Sequence, residues 1–222
     1  MREINCKITF GLDGTGVFYD PYEPPMLDAI FAAARAKYHV HGEPPKRDEP
    51  PDFIPLPLKM WHRDGFRGWH ASALFPTGEA AEQLLSIRKR FRERRIELTQ
   101  GTVNIKSGQY KNWNIEMPML LTPQLYGYFV YLADAPLSKF KRDCIRAIKW
   151  IGKKRAEGRG CVTSLEIEEI EADYSLVKDG RAMRYLPDKN GWREVRMMPP
   201  YWNNHDRVRS CEIGEPVGKK FI

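Results

Sequence analysis

The chain has 222 residues, 42% hydrophobic, 12% aromatic and 29% charged, with a formal net charge of +7, which suits one large or two small globular domains. The N-terminal segment lacks the apolar stretch of a signal peptide, no run approaches the roughly 18 apolar residues of a membrane-spanning helix, and the four cysteines form no C-x-x-C pair. We therefore expect a reduced, cytoplasmic protein without a disulfide framework, a zinc site or a membrane span.

The basic residues are concentrated in two segments of the chain. Residues 136–160 hold nine basic residues against two acidic ones, and residues 84–95 hold six against one. The remainder of the chain is net acidic as a consequence. Charge concentrated in this way favours a polyanionic partner such as a nucleic acid. The alternative is that both segments form solvated helix faces.

The N-terminal part of the sequence predicts a strand followed by a helix. Apolar and polar residues alternate over residues 4–10, which is typical of a half-buried strand, and the glycines that follow are expected to end it. After Pro24-Pro25, apolar residues from Leu27 to Tyr38 recur at helical spacing. Residues 44–59 contain six prolines, which predicts an extended surface loop outside the sheet.

The middle of the sequence predicts two further strands with an ambiguous segment between them. Residues 68–75 are predicted as the second strand, and residues 126–132 as a buried third strand. The segment from Pro76 to about Asn114 has no clear periodicity. Residues 84–95 fit both helical and strand spacing, and the choice between helix and strand stays open.

A basic amphipathic helix and a glycine-rich loop follow the third strand. Apolar residues from Leu137 to Ile151 mark one face of the predicted helix, and basic residues mark another at three- and four-residue steps. The glycine-rich loop, residues 151–160, leads into a fourth strand that begins near Cys161. Further on, a hairpin is predicted to turn at Asp179-Gly180.

The order of these elements predicts the fold class. Without the ambiguous segment, the order is β-α-β-β-α-β, which is the ferredoxin-like arrangement. We therefore predict an α+β protein with a ferredoxin-like (RRM-like) core and a large insertion between the second and third core strands. Two helices would cover one face of an antiparallel sheet and leave the other face free for binding.

The glycine-rich loop carries a resemblance to a known family. Its sequence, IGKKRAEGRGCV, directly after a helix and before a strand, resembles the glycine-rich loop of CRISPR-associated RAMP proteins, which are ferredoxin-like RNA-binding subunits. PPMLDAIFAAA, WHASALF, GQYKNW and PPYW extend the likeness to the small RAMP subunit of type IV CRISPR complexes, which corresponds to the subunit that caps the 5′ end of the guide. The resemblance spans most of the chain and is weakest at residues 40–60 and 76–105. It implies one RAMP domain over residues 1–222, with a thumb-like insertion at about 76–115 and a C-terminal strand or hairpin extension at about 171–222.

The chemistry of the loop can also be stated without the family. Glycines let backbone N–H groups approach phosphate oxygens, while neighbouring Lys and Arg side chains neutralise phosphate charge. The alternative is a tight helix-to-strand turn with a glycine C-cap. Arg159 departs from the family pattern, because it stands where a hydrophobic or aromatic residue is expected. The positions that match the pattern are Gly152, Arg155, Gly158, Gly160 and Val162.

The resemblance implies a non-catalytic subunit that grips the 5′ handle of the guide RNA (crRNA) and caps the filament of backbone subunits. Its partners would be that RNA, the backbone RAMP subunit, the large subunit, an associated helicase and, indirectly, target DNA read by base pairing. No cofactor, metal or membrane is expected. The candidate RNA-binding residues are Gly152, Lys153, Lys154, Arg155, Gly158, Arg159 and Gly160 in the loop, Arg146 and Lys149 before it, Arg88, Lys89, Arg90, Arg92, Arg94 and Arg95 in the insertion, and Tyr110, Lys111 and Trp113 for stacking or phosphate contact.

Several of these candidates have structural alternatives. The basic run at residues 87–95 fits a solvated surface element equally well. Tyr110 and Trp113 fit ordinary core or subunit-contact positions, and Tyr201 and Trp202 fit either a subunit contact or the edge of the core.

The main competing function is a metal-independent endoribonuclease that matures the guide RNA. Such an enzyme needs a base that takes the 2′-OH proton and a cation that stabilises the charge on the phosphorane. His70 is the candidate base, with Lys111 or Arg155 as the cation, and a hydrogen-bonded structural histidine is the alternative role. A third hypothesis is a scaffold whose basic surfaces bind acidic protein partners.

Overall fold

The computed structural model describes an α+β protein in which every described strand pair is antiparallel. Within the described ranges, neither of the two helices combines the length and the apolar character needed to cross a membrane. The structure describes residues 2–19, 23–39, 50–78, 80–89, 104, 106 and 111–217.

A four-stranded sheet forms the centre of the molecule. Its order is β5 (Phe75–Pro76), β8 (Gln124–Ala133), β1 (Arg2–Leu12) and β9 (Val162–Glu169). The alternation predicted for the first strand is confirmed, because Cys6, Ile8 and Phe10 are fully buried on one face. The glycines after residue 10 were expected to end this strand, and it ends among them, at Leu12. Gly11 still pairs with Gln124 and Ser164, and the register shifts only between Gly11 and Leu12.

Two helices cover the face of the sheet that carries these buried residues. They are α1 (Leu27–His39) and α2 (Leu137–Ala147). The ring of Phe31 in α1 lies 5.4 Å from that of Phe129 in β8 and 5.2 Å from that of Phe140 in α2, so both helices meet over the same strand. The apolar face of α2 was predicted to extend to Ile151, but the helix ends four residues earlier, at Ala147. Ile148 and Ile151 are buried, but they lie beyond its last residue.

The second core strand, at the edge of the central sheet beside β8, is not the single continuous strand predicted at residues 68–75. Several short segments of chain lie at this edge instead. β3 (Met60–Arg63) and β4 (Phe66–Trp69) form a separate hairpin, and the chain then meets β8 through an isolated bridge at Ala71 and through β5. Because irregular residues interrupt this edge, the second core strand has no continuous series of hydrogen bonds to β8.

The described part of the proline-rich segment, residues 50–59, contributes to the core. Leu56 and Leu58 are buried, and Leu58 forms a bridge with Tyr131 of β8. The prediction of a surface loop outside the sheet is therefore wrong at Leu56 and Leu58, whereas residues 50–55 are irregular and exposed or half-buried. Residues 44–49 lie outside the described part of the chain.

The ambiguous middle segment forms strands in its described part. β6 (Ala81–Lys89) pairs along its whole length with β7 (Trp113–Leu121), and β7 also pairs with β2 (Val17–Phe18), giving the order β2-β7-β6. The helix-or-strand question is thus answered as strand for residues 84–89. Residues 90–95 lie outside the described part of the chain.

The C-terminal part forms two small hairpins. The turn predicted at Asp179-Gly180 is confirmed between β10 (Val177–Lys178) and β11 (Arg181–Ala182). β12 (Arg193–Arg196) pairs with β13 (Arg207–Ser210). A second apolar cluster joins these hairpins to the rest of the protein, and its buried residues are Met26, Trp61, Ala73, Tyr185 and Met197.

Candidate nucleic-acid interface

The glycine-rich loop is tied to the turn between β1 and β2 by backbone hydrogen bonds. The Ile151 N–H donates to the Gly160 carbonyl at 2.8 Å, which closes the loop on itself. The Gly160 N–H donates to the Gly16 carbonyl at 2.9 Å, and the Lys153 N–H donates to the Phe18 carbonyl at 2.9 Å. The loop is therefore a fixed part of the fold, and the side chains that it carries are presented from a defined backbone.

Two glycines of the loop serve different purposes. Gly160 is buried at φ +68°, and a Cβ atom there would overlap the Ile151 carbonyl oxygen. Gly158 has φ +82°, but no atom would lie within 4 Å of an added Cβ. Gly160 thus allows close backbone packing, whereas Gly158 supplies only a backbone conformation that L-residues adopt at a cost.

Two of the four basic side chains in the loop brace it internally. Arg159 donates to the Thr15 carbonyl at 2.6 Å, and its guanidinium lies over the Phe18 ring at 5.9 Å from the centroid. Lys154 donates to the Glu157 carboxylate at 2.7 Å. The cation–π contact explains how Arg159 occupies a position where an apolar side chain was expected, since its planar group packs on an aromatic face.

The other two basic side chains of the loop, Lys153 and Arg155, have no such internal partner within the described chain. Both residues are exposed, and neither forms an ion pair with any described residue. Arg155 begins a 3-10 turn (Arg155–Glu157), all of whose residues are exposed.

Cys144 lies on the buried side of α2, and the basic residues occupy the solvent side. Lys149, just beyond the helix, donates to the Ile145 carbonyl at 2.7 Å, where a cation offsets the negative end of the helix dipole. We call the following exposed residues the basic surface: Lys139, Arg142, Arg146, Lys149, Lys153 and Arg155.

The basic residues of the insertion lie in a different place. Arg88 and Lys89 are exposed at the end of β6, where they line a cavity of about 440 Å³ with the partly buried Trp113. The opposite end of β7, at Leu120, pairs with Val17 next to the glycine-rich loop. Trp113 and Leu120 are seven residue steps apart along β7, which is roughly 23 Å at the rise of a strand. The structure therefore does not bring these two sets of candidates together.

Of the remaining RNA-binding candidates in the insertion, the structure describes only Lys111. Lys111 is exposed and lies two residues before the start of β7. The other predicted contacts lie outside the described residues, and they are Arg90, Arg92, Arg94, Arg95 and Tyr110.

His70 is held by an acid from the C-terminal part of the chain. Its Nδ1 atom lies 2.8 Å from Asp173 Oδ2 and 3.1 Å from Ser175 Oγ, and the imidazole is 12% exposed. Burial acts to raise the pKa of Asp173, but the hydrogen bonds from His70 and Ser175 outweigh it and hold that pKa below its usual value. The cations proposed to assist His70, Lys111 and Arg155, are not hydrogen-bonding partners of His70 in the described chain.

Tyr201 belongs to a buried polar network rather than to an open surface. Its hydroxyl lies 2.8 Å from Asp28 Oδ2 and 2.8 Å from an Arg184 nitrogen, and both of these side chains are fully buried. Tyr201 therefore takes the core position that was one of its two predicted alternatives. Trp202, the next residue, is half-exposed.

Trp150 was not among the residues predicted from sequence. It is 39% exposed and lies between Lys149 and the buried Ile151, at the entrance to the loop. An aromatic residue inside the most basic segment of the chain was the signal available for finding it.

Comparison with known proteins leaves the family undetermined. The sequence matches no protein-family model, and no curated protein shows significant similarity to it.

Proposed function

We propose that the chain is a non-catalytic, guide-RNA-binding RAMP subunit of a type IV CRISPR ribonucleoprotein in the cytoplasm. In this role it grips the 5′ handle of the crRNA and caps the backbone filament beside the large subunit. The RNA lies along the basic surface and crosses the glycine-rich loop.

The order of the central sheet supports the ferredoxin-like core in this proposal. The first and third core strands, β1 and β8, occupy the centre, with β9 and the short β5 at the edges. α1 falls between the first and second core strands, and α2 falls between the third and fourth. Both features agree with a β-α-β-β-α-β arrangement in which the β6–β7 pair is inserted between the second and third core strands.

One observation carries the functional proposal. Lys154 and Arg159 form hydrogen bonds that stabilise the loop and its contact with the preceding turn. Lys153 and Arg155 are instead exposed to solvent on a backbone that hydrogen bonds hold in place. Neither of these two cations forms an ion pair with a residue that the structure describes. A polyanion would pair with both, since each neutralised phosphate releases counterions and strengthens binding.

Replacing both Lys153 and Arg155 with Ala is expected to weaken RNA binding across all sequences. Each lost phosphate contact should reduce the slope of log K against log[salt] by about 0.7, so the double variant should lose about 1.4. The melting temperature should hardly change, because exposed charges contribute little to stability. Fluorescence anisotropy with labelled single-stranded RNA at several salt concentrations measures the slope.

A matched control separates this effect from the change in net charge. The Lys189→Ala/Arg209→Ala variant removes the same two charges from exposed positions in the C-terminal part. It should keep the wild-type slope. If both double variants behave alike, or if the Lys153/Arg155 variant keeps its slope, RNA does not bind at the loop.

The contact between His70 and Asp173 supports the endoribonuclease as a second candidate function. A carboxylate at one ring nitrogen orients an imidazole, which is the arrangement that a general base requires. The same contact joins β4 to the C-terminal part, because His70 directly follows β4 and Asp173 lies beyond β9. We favour this joining role.

We expect the protein to leave repeat RNA intact in EDTA. His70→Ala should lower the free energy of unfolding by about 1–3 kcal/mol, because the partly buried Asp173 carboxylate loses its hydrogen bond to His70 and keeps only those from Ser175. RNA affinity should not change, and neither property should change in the exposed control His62→Ala. Gel analysis of labelled RNA and a thermal melt provide the measurements. Cleavage at one position that His70→Ala abolishes would identify the enzyme instead.

A further inference from the structure

Trp150 is held in an exposed position by the backbone around it. Its backbone forms an isolated antiparallel bridge with Cys161. On either side, the Val162 N–H donates to the Lys149 carbonyl at 2.9 Å and the Ile151 N–H donates to the Gly160 carbonyl at 2.8 Å. Because Ile151 is fully buried, the chain cannot rotate here to bury the indole without losing that core contact.

Core packing does not account for an aromatic side chain at this site. A large apolar side chain left partly in water forfeits part of the burial energy that it could contribute. Ile145, near the end of α2, is also 43% exposed. Trp150 and Ile145 are thus two partly exposed apolar side chains within the segment that carries the cations of the basic surface.

The surroundings of Trp150 distinguish it from Trp192, the most exposed tryptophan of the described chain. Lys149 and Lys153 are exposed within three residues of it, and Arg155 follows. Trp192 is more exposed, at 76%, but its neighbour Arg193 lies 2.6 Å from a carboxylate oxygen of Glu23. The charge beside Trp192 is therefore neutralised, whereas the charge beside Trp150 is available to phosphates.

We propose that the indole of Trp150 stacks on an unpaired base of the RNA whose phosphates contact the basic surface. The inference rests on the proposed function and adds a base contact to its phosphate contacts. Single-stranded RNA is bound in this way, with cations along the backbone and an aromatic ring on a base. Every base has a π-face, so the contact selects unpaired nucleotides over duplex without selecting a particular base.

The test uses two probes and a set of variants of the whole protein. The probes are a labelled oligouridylate and an abasic ribose-phosphate oligomer of the same length. Trp150→Ala should weaken oligouridylate binding by about 5- to 150-fold, the range expected for one stacked base. The slope of log K against log[salt] should not change, because no cation is lost. Binding of the abasic oligomer should not change either, because there is no base to stack.

Two further variants make the result specific. Trp150→Phe should recover most of the lost affinity, since a phenyl ring also stacks. Trp150→Leu, which keeps an apolar side chain without an aromatic face, should bind oligouridylate as weakly as the Ala variant, and it replaces that variant if Trp150→Ala fails to fold. Trp192→Ala is the matched control and should bind like wild type.

The outcomes separate this inference from the proposed function. If affinity depends on Lys153 and Arg155 but not on Trp150, the stacking inference is wrong and the proposed function stands. Equal losses on oligouridylate and on the abasic oligomer would also overturn it, because they indicate a structural role. If the wild-type protein binds neither probe, the proposed function fails, and the inference fails with it.

Discussion

Replacing Arg184 with Met is expected to lower the free energy of unfolding by about 3–5 kcal/mol. Arg184 is fully buried and donates to the carbonyl oxygens of Trp69, Ala71 and Met197, the last two at 3.0 and 2.8 Å. These carbonyls belong to β4, to the segment after it and to the C-terminal part. A Met side chain fills similar space but donates no hydrogen bond, so the buried acceptors lose their partner.

Asp28, the acidic partner of Arg184, adds to the expected loss of stability. Asp28, in the first turn of α1, is fully buried and lies 3.3 Å from Arg184 and 2.8 Å from the Tyr201 hydroxyl. Burial raises the pKa of Asp28, and the Arg184 guanidinium opposes that rise. Without Arg184, this carboxyl group stays buried with hydrogen bonds from Tyr201 and the Ala29 backbone but without a neighbouring positive charge. The Arg184→Met/Asp28→Leu double variant should therefore be less destabilised than the sum of its single variants.

Urea unfolding followed by circular dichroism measures these differences. Arg209→Met, at an exposed position, is the control and should stay within about 0.5 kcal/mol of wild type. A loss below about 1 kcal/mol for Arg184→Met would show that the network does not hold the C-terminal part to α1 and β4.

Gly160→Ala is expected to cost on the order of 3 kcal/mol, more than Gly158→Ala. Both residues have positive φ, which costs an L-residue about 1–2 kcal/mol. At Gly160 the new methyl group also overlaps the Ile151 carbonyl, so the bond that closes the loop must lengthen or break. Loop displacement should then reduce RNA affinity as well as stability.

The Gly158→Ala variant serves as the control, since it carries the conformational cost without a steric overlap. Thermal melts and RNA anisotropy of both variants measure the difference. Equal destabilisation of the two variants would mean that the backbone around Ile151 yields easily, and that the loop is less rigid than the hydrogen bonds indicate.

Local sequence patterns were sufficient where an element buries one face along its length. The alternation that ends in Cys6, Ile8 and Phe10 identified β1, because a strand with one buried face must alternate. Asp179-Gly180 identified its hairpin, since both residues adopt positive φ there. The clustering of basic residues likewise identified α2 and the loop as charged surfaces.

Features that depend on contacts between residues far apart in the sequence could not be predicted from local patterns. Leu58 pairs with Tyr131 from a proline-rich segment because the edge beside β8 is open to short pieces of chain. Nothing near Arg159 in sequence shows that Thr15 and Phe18 will engage it, so it could not be told apart from Arg155. The contact between Asp28 and Arg184 joins residues far apart in the chain and has no local signature.

The most direct test of the account is photo-crosslinking of guide RNA within the assembled ribonucleoprotein, with the crosslinked peptides identified by mass spectrometry. We predict crosslinks in the segment from Lys149 to Gly160, with Trp150 among the modified residues. Crosslinks should be lost from this segment in the Lys153→Ala/Arg155→Ala variant. Crosslinks confined to other parts of the chain, or none to this chain when neighbouring subunits are labelled, would contradict RNA binding at the glycine-rich loop.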